Sequence, residues 1–331
     1  MNPKARINKL LMGDSLDSPA MSLWRHFYHR ENSAKDLASA MVDWQRKWSW
    51  DFVKVNPRAS YHVEGWGAKF TASAEELKKP VQTRFPVHGP DNLLGLKPLS
   101  PKEGTLGEQL AALKLIREAL GKDIFVVETV FTPLSIVADL CESDEAFGQL
   151  LRNEKKGMKL ALEVVTETFK RFGQECLEAG ADGLFFATTE WGTRKNITEG
   201  EYREFGRPYD LEVLEGVKGA DFNILHVCKT ENLLNSLLDY PAQALSWDPT
   251  EPTNPGLGEV RAKTDKVLIG GLDYRRTLLG PSQEAVHREA NVALSATGGM
   301  GFILAAGCTI YPETPEENIR AAEAVRRKSQ P

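Results

Sequence analysis

No run in the 331 residues approaches the about 18 consecutive apolar positions that a membrane-spanning helix requires. The opening MNPKARINKLLMGDS has no secretory apolar core. These two absences lead to the expectation of a cytoplasmic protein without membrane contact. Cysteine is scarce. Four residues without dense spacing exclude a disulfide framework and leave the thiols as core residues, ligands or nucleophiles. No basic run or acidic tail stands out, and 41 basic against 46 acidic residues give a formal net charge of −5, so nothing favours nucleic acid or an anionic lipid surface. No GxGxxG follows a candidate strand, which removes the usual sign of a dinucleotide-binding open sheet. Internal repeats, low-complexity tracts and linkers are also missing, so the chain is read as one domain over residues 1–331.

What is present is a regular alternation. Short apolar runs at Ala20–Trp24, Phe52–Val55, Ile124–Thr129, Gly183–Ala187, Asn223–Val227, Ala244–Trp247, Val267–Gly270 and Phe302–Ala305 read as eight strands. Amphipathic segments separate most of them. The clearest is Lys155–Ala179, where Met158, Ala161, Leu162, Val165, Phe169, Phe172, Cys176 and Leu177 recur at three- and four-residue steps. Gly200–Val217, Glu231–Leu238, Ser282–Ala296 and Thr314–Arg327 read as helices too. Eight strands alternating with helices predict an α/β fold, a (β/α)8 TIM barrel, with an open doubly wound sheet as the alternative. The stretch from Asn56 to Asp123 is far longer than one connecting helix and is rich in Gly and Pro. It predicts a long insertion after strand 2, of the kind that forms lids or binding loops.

In such a barrel, chemistry sits where strands end and βα loops begin. His226 and Cys228 close the fifth candidate strand, and period-two alternation puts both on one face. Cys308 lies just past the eighth. His, Cys and a distant Cys are three ligands of a kind that zinc accepts, one short of a closed tetrahedral site. Each taken alone reads more readily as a core residue, and it is the placement of all three at strand ends on one face of the barrel that favours a metal. Cys141 and Cys176 belong to apolar segments and are read as core, as are Trp44, Trp48 and Trp50. Arg25 and His26 follow the first strand, and an arginine there suits a carboxylate, sulfonate or phosphate of a substrate. Asn56 ends the second strand. Glu190 follows the fourth, as a candidate catalytic group or fourth ligand. Asp248 and Asp273 end the sixth and seventh, where each could orient a ligand histidine, bind substrate or cap the following turn.

The stretches GGLDYRRTLLGPSQEAV and GFILAAGCTIYPETPEENIRAA, with AGADGLFFATTEWG and EFGRPYDLEVLEGV before them, resemble the uroporphyrinogen decarboxylase superfamily. The likeness covers about residues 155–327 well and the N-terminal half in element order. It implies a single (β/α)8 barrel. Superfamily members that act on uroporphyrinogen have a final Gly-His-Gly, where this chain reads Gly307-Cys308-Thr309. Their aspartate at the end of the second strand has no counterpart in VKVNPRAS, and their RQAGRY segment is replaced by WRHFYHR. The His-x-Cys and distant Cys are similar to the branch of methylcobamide:coenzyme M and related corrinoid-dependent methyltransferases. Two departures from that branch are Lys229, where glycine is usual, and Ala306, where proline is usual.

That branch implies zinc on His226, Cys228 and Cys308, and a methyl group moved from a methylated corrinoid to a thiol or related acceptor. Arg25, His26, Asn56 and Asp273 are the candidate substrate-binding residues, and Glu190 and Asp248 the candidate catalytic ones. No Asp-x-His-x-x-Gly corrinoid motif is present, so a separate corrinoid protein is the expected partner. The alternatives are tetrapyrrole decarboxylation and a non-enzymatic barrel carrying structural zinc.

Overall fold

The computed structural model describes residues 1–328, with the side chains of the last two of these left aside. Eight parallel strands form one ring-like sheet: β1 Ala20–Met21, β2 Phe52–Lys54, β3 Phe125–Phe131, β4 Gly183–Thr188, β5 Ile224–Val227, β6 Ala244–Trp247, β7 Val267–Leu272 and β8 Phe302–Ala306. They pair in the order β1-β8-β7-β6-β5-β4-β3-β2, with helices packed outside, which is the expected (β/α)8 barrel. Both strand faces are covered, which explains why the strands read as unbroken apolar runs. Inward side chains, among them Phe52, Phe125, Val127, Phe185, Ile224, Ile269 and Ile303, form one cluster in the barrel lumen. Outward ones such as Val126, Leu184, Leu245 and Leu304 join the helices in another. Ile7 and Leu10 of the N-terminal helix Pro3–Leu11 belong to the lumen cluster and close the barrel floor.

The seam between β1 and β2 is closed by side chains as well as backbone. Asp51 N–H donates to the Met21 carbonyl at 3.0 Å, the Asp51 carboxylate accepts from Met21 N–H at 2.7 Å, and Ser22 Oγ donates to the Phe52 carbonyl at 2.8 Å. Asp51 is wholly buried, and Arg6 and Arg326 pair with it at 2.7 and 3.3 Å. One carboxylate therefore ties the floor helix and the C-terminal helix Glu316–Lys328 to the seam.

Several local expectations are corrected. Gly200–Val217 is two helices, Glu199–Phe205 and Arg207–Glu215. Pro208 lacks the N–H a continuous helix needs, and Gly206 lies where an added Cβ would stand 2.8 Å from the Tyr202 ring. Glu231–Leu238 holds only a 3-10 turn at Leu234–Ser236. Glu231 has φ 51°, and Asn232 ties the loop to the Leu234 N–H and the Val227 carbonyl. The insertion after β2 is structured: a short helix Tyr61–Glu64, an antiparallel hairpin of Lys69–Thr71 with Val81–Arg84, a helix Pro90–Gly95, and the long helix Gly104–Leu120. Trp48 and Trp50 stack at 5.7 Å with Trp44 against both, and Cys141 and Cys176 are buried. Among the described residues, no helix is long and apolar enough to cross a membrane.

Glu128 points outward from β3 into the layer between barrel and helices and is completely buried. One oxygen accepts from the Thr129 N–H at 3.1 Å and the other has no partner, while Gln109 also leaves a buried oxygen unpaired. Burial raises the Glu128 pKa to about 8, against the lowering effects of the Thr129 N–H and the Lys54 charge; Tyr61 and Cys176 are its other titratable neighbours. The unfolded chain releases this proton near the ordinary carboxylate value and the folded chain keeps it to about 8. Stability therefore falls as pH rises through that window. Glu128→Gln, which carries no charge to desolvate, is expected to be more stable than the parent at pH 8 by roughly 3–5 kcal/mol. The advantage should shrink to nothing below about pH 4.5. Urea unfolding at pH 4.5, 6 and 8 checks this, and a pH-independent difference refutes it.

Candidate metal centre

Period-two alternation carries the inward face from Ile224 to His226 on β5 and onward to Cys228 in the loop after it. Cys308 follows β8 by two residues. The two sulfurs lie 3.7 Å apart, and one donor atom from each of His226, Cys228 and Cys308 falls within 4.8 Å of the others. That sulfur spacing is far too long for a disulfide. Two thiolates held at about 2.3 Å from one tetrahedral ion stand about 3.8 Å apart, so the pair has the separation that a shared ion requires.

The loops are shaped to allow this approach. Gly307 packs so tightly on Asp248 that a Cβ would sit 2.6 Å from the aspartate side chain, so only glycine fits beside Cys308. Cys228 N–H donates to Thr188 Oγ1 at 3.2 Å. His226 is 3% exposed; its Nδ1 lies 3.0 Å from Ser246 Oγ, its cross-strand partner on β6, and its ring stacks on Phe185 at 4.9 Å. Nε2 is buried without a hydrogen-bond partner. A serine on Nδ1 and an orphaned Nε2 are what a ligating imidazole requires, because the anchored nitrogen fixes which one is left for a metal. The two thiols share one hydrogen bond, in which either sulfur can donate; it holds Cys308 well below the ordinary thiol pKa, with His226 adding to the effect, and holds Cys228 well above it. The donor set, its spacing and the unpaired nitrogen fit a borderline-soft cation such as zinc.

The three residues form one wall of a cavity of about 170 Å³ at the C-terminal mouth of the barrel. His26 and Asn56 also line it; Arg25, Glu190, Asp248 and Asp273 do not. Arg25 is turned aside, paired with Glu76 and stacked over Phe27 at 4.8 Å. Glu190 lies in the 3-10 turn Glu190–Gly192 and pairs with Lys229 at 2.5 Å, half exposed and outside the donor cluster. Asp248 accepts from Thr250 and pairs with Arg275 at 2.7 Å, and burial raises its pKa. Asp273 accepts from the N–H groups of Arg275 and Arg276. These two aspartates cap turns, and the role of orienting the histidine falls to Ser246. His26 lines the cavity with Nδ1 bonded to Glu31 at 2.9 Å and its ring stacked on Tyr28.

Two inward residues escaped the sequence reading. Ser246 sits two places after the inward Ala244, and Lys54 two after the inward Phe52. The alternation applied to His226 could have found both. Lys54 is 7% exposed, donates to Asn56 Oδ1, and lies over the Phe185 ring at 4.8 Å. Burial lowers its pKa to about 8, against the upward pull of Cys308 and Glu128.

Three substitutions separate ligands from bystanders. Cys308→Ser is expected to lose most bound zinc. Ser246→Ala should weaken zinc by about 10–100-fold through a freed imidazole. Cys176→Ser, in the helix core, should leave the stoichiometry unchanged and lower stability only. Elemental analysis and competition with a chromophoric chelator read all three. Full zinc in Cys308→Ser overturns the assignment.

The family model described as uroporphyrinogen decarboxylase (URO-D) matches residues 24–328. The methylcobamide:CoM methyltransferase MtbA of Methanosarcina mazei is 27% identical over 272 residues, covering 81% of this chain and 76% of its own. A uroporphyrinogen decarboxylase of Thermus thermophilus is 25% identical over 262 residues, covering 77% and 73%. A solved methyltransferase from Methanosarcina mazei shares the fold, with a TM-score of 0.85 at 22% identity over 99% of both chains. With its barrel and nearly all of its length matched, the chain belongs to the uroporphyrinogen decarboxylase (URO-D) family.

Proposed function

We propose that this chain is a zinc-dependent methyltransferase that moves a methyl group from a methylated corrinoid, carried by a partner protein, to a thiol or related acceptor. The observation that carries the reading is the His226, Cys228 and Cys308 donor set, with its 3.7 Å sulfur pair and unpaired Nε2, facing the cavity at the barrel mouth. Similarity to MtbA supports the same branch. Zinc, when bound, supplies the Lewis acidity that keeps a coordinated thiol deprotonated at neutral pH. The acceptor's sulfur then forms a bond to the methyl carbon as the carbon–cobalt bond breaks, and that bond's electron pair stays with the corrinoid.

The chain's own residues prepare this exchange. Ser246 holds the His226 ring, Phe185 backs it, and Thr188 and Gly307 fix the two cysteine loops. Trp24, Phe131 and Phe185 line the cavity and exclude water from the nucleophile. A cavity of about 170 Å³ falls below the range that encloses drug-sized ligands, so it suits a small acceptor and leaves a macrocycle at the mouth. This favours a donor presented from outside. The alternative, decarboxylation of a tetrapyrrole, calls for arginines that bind several carboxylates. Among the residues lining this cavity there is one lysine and no arginine.

Zinc-loaded protein is expected to demethylate free methylcobalamin in the presence of a small thiol, with S-methyl product detected by mass spectrometry. Cys308→Ser should slow this by at least about 100-fold. Uroporphyrinogen should pass through unchanged. Formation of coproporphyrinogen would overturn the reading in favour of the decarboxylase.

A further inference from the structure

Inward positions on the first strand, Ala20 and Trp24, continue at even spacing to His26 in the turn beyond it. The loop after Cys308 runs alongside: Ile310 N–H donates to the Trp24 carbonyl at 3.0 Å, and Arg25 bridges to Ile310 in the parallel sense. His26 thus lines the cavity from the same side as Cys308 and Thr309 while standing outside the three-residue donor cluster. One of its nitrogens is committed. Nδ1 lies 2.9 and 3.1 Å from the two oxygens of Glu31, which is 1% exposed and accepts the Phe27 N–H at 2.5 Å. A carboxylate only accepts, so Nδ1 carries the hydrogen and Nε2 keeps its lone pair. Tyr28 stacks on the ring at 5.2 Å, and Arg58 holds the Glu31 carbonyl at 3.3 Å. The other charged or titratable groups around the pair are Arg25 on the same segment, Glu313 and Tyr311 beyond Cys308, and Lys54, His226, Cys228 and Cys308 on the cavity. Burial, with Glu31 and Glu313, raises Tyr28 to about 12, so it keeps its own proton. Lys54, lowered to about 8 by burial, is an ammonium near neutrality. Outside the metal-competent set, His26 is the residue on this cavity with a basic nitrogen to offer.

We infer that His26, oriented by Glu31, is the general base that takes the proton of the acceptor thiol. The inference rests on the transferase reading for the identity of the acceptor; the dyad itself rests on its geometry. The S–H bond breaks, its electron pair stays on sulfur, and the proton forms a bond to Nε2. Nδ1 keeps its hydrogen, and the buried Glu31 carboxylate faces the imidazolium that results. With its side chain 19% exposed, His26 then hands the proton to water and regains its lone pair. Glu31 is a positioning residue in this scheme, setting which nitrogen faces the thiol.

Calorimetry of mercaptoethanol binding to the zinc-loaded full chain, in two buffers of different ionisation enthalpy, counts the protons set free. The parent is expected to keep most of the thiol proton on His26, whereas His26→Gln should release about one per thiol bound. Zinc content should be the same in both; loss of zinc from His26→Gln would make the residue a ligand and overturn its role as a base. Nitrogen NMR of histidine-labelled protein should show Nδ1 protonated and Nε2 bare at His26, and the opposite tautomer overturns the assignment. Methylcobalamin demethylation is read in parallel. At about pH 7, His26→Gln should slow methylation of mercaptoethanol by about 100-fold, and that of trifluoroethanethiol, which ionises far more readily, by less than about threefold. Glu31→Gln should fall between parent and His26→Gln with mercaptoethanol. Equal proton release by parent and His26→Gln, or equal slowing of the two thiols, sinks the base. A parent that demethylates methylcobalamin while giving either of those results keeps the transferase. One that retains the thiol proton yet never demethylates keeps the base and loses the transferase.

Discussion

The separation of two sulfur atoms governs how the rest of this molecule is arranged. Cys228 and Cys308 come from strand ends with two strands between them in the ring, yet they stand 3.7 Å apart. Strands of a barrel converge on a shared axis, so inward residues at one level are neighbours whatever their distance around the wall. Convergence alone leaves thiols too loose to share an ion. The last ångström comes from Gly307 pressed on Asp248 and from the Thr188 hydroxyl holding the Cys228 backbone. Asp248 is in turn fixed by Thr250 and Arg275. A charged network outside the cavity thus sets distances inside it.

The lumen changes character along its length, and that gradient decides where chemistry can occur. At the floor, Ile7 and Leu10 belong to one apolar cluster with Phe52, Phe125 and Phe222. One layer higher the same strands present Lys54, His226 and Ser246, two residues on from Phe52, Ile224 and Ala244. Buried polar groups are tolerated only when matched, and here Ser246 matches one face of His226 while the other is left open. Phe185 belongs to both layers: it packs on Trp24 at 5.4 Å and backs His226 and Lys54 alike. Rigid aromatic support is what turns a set of donors into a site of fixed geometry.

The strands and the His-x-Cys pair were legible because both depend on local alternation. Each strand buries both faces, so its apolar run is unambiguous, and His226 breaks the run at an inward position. The polar residues after the strands were harder. Asp248, Asp273 and Glu190 occupy strand-end positions where capping and catalysis use the same side chains, and only the partners decide. Thr250, the Arg275 and Arg276 N–H groups, and Lys229 are those partners. Arg25 was lost to Glu76, a residue 51 positions away in an insertion whose course no local pattern describes. Lys54 and Ser246 were missed for a different reason. A lysine in FVKV or a serine in ALSW passes as tolerated noise in an apolar strand unless its parity is counted.

The same parity argument explains why the cavity holds groups that the fold leaves unsatisfied. Replacing Lys54, Asn56 or the His226 edge with apolar residues would remove buried donors without disturbing the barrel, since the layer below is already a complete apolar core. Folding gains nothing from the His226 Nε2 or from the Asn56 Nδ2, each buried without a hydrogen bond. Groups of this kind are matched by what binds them, and binding then contributes to the stability of the folded chain. His226 and Asn56 both line the cavity at the barrel mouth, so one occupant meets the unpaired imidazole nitrogen and the unpaired amide in the same space. Position in the barrel, not any property of a single residue, brings them together.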